Sequence, residues 1–157
     1  MRPIKNVSRL FKPLMLVLLS ATILSFSVNW GGDSFRIFLN DKLVVEQYVS
    51  QQAGVKSIQL SKASSKDQVV IYYSHCGQTG KDRSITIKDG NNRVLKQWHF
   101  PDVDGSNVAM ICKAGDILTL QKNNGADKLN LYYSSKELAN GRLLANIILS
   151  SDPTTNP

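Results

Sequence analysis

The sequence predicts an all-β protein: an antiparallel β-sandwich of Ig-like or jelly-roll type, preceded by an N-terminal signal segment. Three observations carry this. From Phe35 onward, short runs of alternating apolar residues recur about every ten positions. Gly, Asn, Asp and Ser separate them at hairpin spacing, and stretches with helical period and caps are scarce. Such a rhythm belongs to sandwiches and barrels.

The elements follow in chain order. Arg2, Lys5, Arg9 and Lys12 precede an apolar run from Leu14 to Val28, broken only by Ser20, Thr22, Ser25 and Ser27. A basic stretch ahead of an apolar one is the pattern of a secretory signal. Ser25 and Ser27 supply a small-x-small cleavage pattern, so residues 1–27 read as the signal peptide, 28–149 as the sandwich domain and 150–157 as a disordered tail. The alternative is an uncleaved anchor. A helix over these residues reaches only about 22 Å, against a hydrocarbon core of about 30 Å. Cleavage and a secreted or periplasmic protein are therefore expected, with membrane contact only through residues 14–28 if they are retained.

Strands are expected near 34–39, 42–49, 56–60, 67–74, 83–88, 93–99, 108–112, 116–122, 127–133 and 142–149. Asn40-Asp41 is a two-residue hairpin connection. Asp89-Gly90-Asn91-Asn92 and Asn123-Asn124-Gly125-Ala126 supply turn chemistry for two more hairpins. Ser134-Ser135-Lys136-Glu137 reads as a capping box, with Asn140-Gly141 as a stop, so one helical turn is expected there.

Two of the strands match each other. Asp67-x-Val69-x-Ile71-Tyr72-Tyr73-Ser74 and Asp127-x-Leu129-x-Leu131-Tyr132-Tyr133-Ser134 lie sixty positions apart, which would suit related strands in the two halves of a sandwich. Alternation puts Val69, Ile71 and Tyr73 on one face of the first, and Leu129, Leu131 and Tyr133 on one face of the second. Both sets should be buried.

Charge narrows the partners. The formal net charge is +7, but four of the 19 basic residues lie in the leader and none of the 12 acidic ones does. The remainder carries 15 basic and 12 acidic residues, spread singly, so no basic stripe of a nucleic-acid binder forms. Two cysteines, Cys76 and Cys112, are expected to bridge after export. The closed loop would contribute about 3.8 kcal/mol by chain entropy.

Chemistry-bearing residues are few. Ser74-His75-Cys76-Gly77 is the densest reactive group, and a small secreted hydrolase or thiol enzyme centred on His75 and Cys76 is the alternative to a binding protein. Neighbours on an extended chain point to opposite sides, however, so His75 is poorly placed to activate Cys76. A zinc site drawn from His75, Cys76, His99 and Cys112 lacks a closely spaced ligand pair. Asp102, Asp104 and Asn107 give a weak calcium loop whose glycine is misplaced for an EF-hand. Phosphate-loop, dinucleotide and serine-elbow fingerprints are missing, so no cofactor is expected. What remains is aromatic: Tyr72 and Tyr132 at outward positions, with Trp98 at the end of a strand, suit a face that holds a protein or glycan. The expectation is an exported, non-catalytic module with those three residues as contacts.

Overall fold

The computed structural model describes residues 32–49, 54–105, 107–125 and 128–150. The expected signal peptide at 1–27 and the expected disordered tail at 150–157 lie outside them, except for Ser150, which ends the last strand. Among the described residues nine strands form two open sheets: β1 (Ser34–Leu39), β2 (Lys42–Tyr48), β3 (Lys56–Ser61), β4 (Gln68–Ser74), β5 (Arg83–Lys88), β6 (Val94–Phe100), β7 (Met110–Lys113), β8 (Lys128–Ser135) and β9 (Leu138–Ser150). The four-stranded sheet has the order β2-β1-β4-β7 and the five-stranded sheet β3-β9-β8-β5-β6. All pairs are antiparallel except β3 with β9, which run parallel in register from Lys56↔Ala145 to Ser61↔Ser150. This corrects the expectation of a wholly antiparallel arrangement.

Period-two burial builds the core. Val69, Ile71 and Tyr73 on β4 are buried, as are Leu129, Leu131 and Tyr133 on β8. The tyrosine rings stack across the layer, with centroids 4.1 Å apart and planes 11° from parallel. Phe35, Ile37, Ile85, Ile87 and Ile147 extend the same interior, each buried aliphatic side chain adding about 2 kcal/mol. The two matching sequence segments thus lie in opposite sheets, with their inward halves together. Two of the three predicted hairpins form: Asn40 takes φ 53° between β1 and β2. Between β5 and β6, Asp89 accepts the N–H groups of Asn91 and Arg93 at 2.9 and 3.0 Å.

Three further expectations are corrected. Residues 116–122 are not a strand but part of a helix, α1 (Ala114–Asn124), so no hairpin links them to β8. Ala114 and Ile117 are buried and Leu118 is partly so, which is helical spacing. Asp116 in the first turn and Lys122 in the last suit the helix dipole, and Gly125 beyond the end takes φ 62°, the usual helix stop. Instead of a helical turn, Lys136 and Glu137 form the tight β8–β9 connection. β9 starts at Leu138, and Gly141 turns through φ 68° within it.

The third correction is the disulfide. Cys76 and Cys112 are both free. Cys112 sits opposite Val69 on the neighbouring strand, whereas Cys76 lies seven residues further along the chain, roughly 23 Å away at 3.3 Å per residue. A bridge needs Cα atoms within about 7 Å. Burial, with the Asp116 charge adding to it, pushes the Cys112 thiol up to about 12, so it is protonated at neutral pH.

Candidate functional site

The inward stripes of three strands end in polar residues at the same end of the sandwich. Asp33 lies two positions before Phe35, His75 two after Tyr73 and Ser135 two after Tyr133, so each continues its strand's buried face by one step. The Tyr73 hydroxyl donates to Asp33 Oδ2 at 2.8 Å. His75 Nδ1 lies 3.4 Å from the same oxygen, which favours the ring proton on Nδ1. His75 Nε2 is then free to accept, and it has Tyr133 Oη at 3.0 Å and Ser135 Oγ at 3.1 Å. Arg142 Nη1 approaches Asp33 Oδ2 at 3.9 Å.

Burial and the hydrogen bond to Asp33 hold the Tyr73 phenol well above its usual range. Burial also raises Tyr133, although the Ser135 hydroxyl and the Arg83 charge act the other way. At Glu137 burial opposes the charge, but its own backbone N–H, that of Lys81 and the Ser135 hydroxyl outweigh it and hold the carboxyl below its usual range.

Asp33, His75 and Ser135 contact one another in the sequence of a hydroxyl-activating triad: hydroxyl to imidazole to carboxylate. Access decides what they can do. Ser135 is 5% exposed. Gly80 covers the group so closely that a Cβ there would fall 2.6 Å from Tyr133 Oη and 2.8 Å from His75 Nε2. Gly80 thus closes over the hydroxyl, and the contacts form a partly buried network that ties the start of β1 to the ends of β4 and β8.

His75 therefore pairs with Ser135 and not with Cys76, which is exposed in the turn beyond β4 at φ 51°. Because Cys112 on β7 lies opposite Val69, far from Cys76 beyond the end of β4, the four-residue zinc set does not converge. In the 101–108 loop, Asp102 Oδ1 accepts the Asp82 N–H at 2.7 Å and Asn107 Oδ1 accepts from Arg36 at 3.3 Å. Beneath the loop the buried Arg83 donates to the Pro101 and Val108 carbonyls at 2.9 and 3.1 Å, so a cation already holds it. Among the described residues no group of three His, Cys, Asp or Glu could hold a metal ion.

The three expected contact residues lie on three different surfaces. Tyr72 is on the outer face of the four-stranded sheet, edge-on to Phe38 with centroids 5.7 Å apart and under the Arg36 guanidinium at 5.3 Å. Tyr132 is on the outer face of the other sheet, with Lys88 Nζ 4.3 Å from its ring. Trp98 pairs with the buried Ile85, so it leans toward the core at the edge of β6, with Lys96 Nζ at 4.8 Å.

Around Tyr72, register reveals a feature the sequence reading missed. Leu43 faces Phe38, Phe38 faces Val70, and Val70 faces Ile111. These four side chains form one apolar row across the whole outer face, about 14 Å long at 4.8 Å per strand. Leu43 and Ile111 are 44% and 48% exposed. An open depression of about 320 Å³ lies along it, bounded by Phe38, Val70, Tyr72, Ala109 and Ile111, with Asn40 and Asp41 at one end. Outward parity at Phe38, Val70 and Ile111 was the available signal. Compared with family models and with curated proteins, the chain matches none.

Proposed function

We propose that this protein is an exported, non-catalytic module that binds another protein through the outer face of its four-stranded sheet. The carrying observation is the row Leu43–Phe38–Val70–Ile111. Outward positions of a sheet facing water are ordinarily polar, and a contiguous exposed apolar patch marks an interaction surface. Tyr72 and Arg36 border it, and both are residue types enriched at the centres of interfaces. Export is supported by the basic and apolar leader at 1–27, with secretion or periplasmic release if it is cleaved and anchoring through 14–28 if it is not. Sandwiches of Ig-like or jelly-roll type host unrelated tasks, so the reading rests on the face and not on the fold.

A photo-crosslinking residue at position 111, compared with one at Asn130 on the opposite sheet, tests the reading in the producing cells. A discrete protein adduct from 111 alone is expected. Equal labelling from both positions, or none from either in a folded protein, would sink it.

A second reading has its own observation, the Asp33–His75–Ser135 contacts. In a hydrolase, Ser135 Oγ would attack an acyl carbonyl as His75 Nε2 takes its proton and returns it to the leaving group. A fluorophosphonate probe decides: the binding reading expects no covalent label, and a label lost in Ser135→Ala would move the function to this cluster.

A further inference from the structure

Two sheet edges border one groove. β3 is the terminal strand of the five-stranded sheet and β2 that of the four-stranded sheet. Between them runs a groove of about 540 Å³, lined by residues 42–44 of β2 and 57–61 of β3. Side chains alternate between faces along a strand, so a groove touched by five consecutive residues follows the strand's edge. Apolar side chains border it among polar ones, Leu43 exposed and Leu39 and Val44 partly buried, while Ile58 and Leu60 are buried beneath it.

The exposed backbone of β3 can be assigned. The Ser61 N–H bonds to Ser64 Oγ at 3.4 Å, so it points away from β9, and alternation points the N–H and C=O of Ser57 and Gln59 the same way. Pairing with β9 runs through six residues without a register shift, so the edge is straight. It contains no proline, whereas sheet proteins ordinarily blunt such an edge. Lys56 Nζ reaches the Glu46 carbonyl of β2 at 3.3 Å, which shows that the two edges are bridged by a side chain and not by a backbone ladder. Charge at the groove has one sign. Lys42 lines it, Lys56 and Lys62 stand at the two ends of β3, and no acid is among the lining residues.

We infer that this groove takes an extended segment of the partner protein as an added strand along β3, apolar at alternate positions and carrying acidic residues. Backbone bonds to Ser57 and Gln59 would supply affinity, Leu39, Leu43 and Val44 would read alternate side chains, and the lysines would select for negative charge. The inference rests on the reading of the domain as a protein-binding module and names the chemistry of the partner. Leu43 belongs both to this groove and to the apolar row, so one partner can occupy both.

A phage-displayed library of random dodecapeptides, selected on the folded domain, is the test. Enriched peptides should alternate apolar residues and carry acids, and hydrogen exchange should show added protection at Ser57 and Gln59. Gln59→Pro removes an outward N–H while leaving the β9 ladder in place, and should weaken these peptides at least tenfold. Lys42→Glu, an exposed change, should weaken them about threefold at low salt and less at high salt. Ile111→Asp should leave them unchanged. Peptides that lose binding with Ile111→Asp but not with Gln59→Pro would overturn the groove while leaving the face reading intact. No enrichment, or enrichment of basic peptides, would overturn the groove as well. If Gln59→Pro fails to fold, Lys42→Glu and the exchange pattern decide alone.

Discussion

β4 and β8 carry nearly the same local sequence and occupy interior positions in opposite sheets, yet only half of each is used in the same way. Their inward residues are interchangeable in role: Ile71 and Leu131 are both fully buried, and Tyr73 stacks on Tyr133. Outward, the two part company. Tyr72 stands beside Phe38 and the apolar row, whereas Tyr132 stands in a polar setting of Thr86, Gln97 and Ser134. The inner parity answers to one shared interior and is constrained alike in both sheets. Partners from other strands decide the outer parity, so identical Tyr-Tyr pairs acquire different surroundings.

The largest test addresses the shared half. Ile71→Ala and Leu131→Ala should each cost about 2–5 kcal/mol by removing methylenes from a closed interior, read as equal shifts in the denaturant midpoint. A large cost for one and little for the other would mean that the two strands do not face one interior. Alkaline stability comes next. Tyr73 and Tyr133 have folded-state values raised above the ordinary phenol value of 10, so the stability they contribute is complete below about pH 10 and is lost as pH rises further. Far-ultraviolet circular dichroism and phenolate absorbance followed together should show both phenols ionising only as the sheets unfold. Ionisation in a fully folded protein would place them at the surface.

Much of this comparison is legible in the sequence, and the illegible parts have physical causes. Alternation alone marks Val69, Ile71, Tyr73 and their counterparts as core, and Asn40-Asp41 marks its hairpin. Ile117-Leu118-Thr119-Leu120 fits either period over so few residues, and Asn124-Gly125 serves a hairpin turn or a helix stop equally well. The cysteine pairing failed for a different reason: a compartment argument says that thiols tend to bridge, but only strand register says whether they can meet. Native alkylation should accordingly modify Cys76 alone, with Cys112 reacting only after denaturation, as intact mass would show. Blocking of both thiols without reductant would restore the bridge. Of the polar cluster, His75 was visible as a reactive residue, while Asp33 and Ser135 required knowing which stripes end together.

The smallest effect bears on function. Tyr72→Ala and Tyr132→Ala remove half-buried rings that each contact a cation, Arg36 in one case and Lys88 in the other. Such contacts are worth about 0.5–1 kcal/mol at exposed sites, so both variants should fold with midpoints close to that of the parent protein. Their stabilities being alike, binding can separate them: Tyr72→Ala should weaken the adduct formed from position 111, and Tyr132→Ala should leave it unchanged. If the two variants weaken it equally, the outer faces are not distinct in function. If Tyr72→Ala unfolds the domain as Ile71→Ala does, its ring is core, and the apolar row beside it answers to packing and not to a partner.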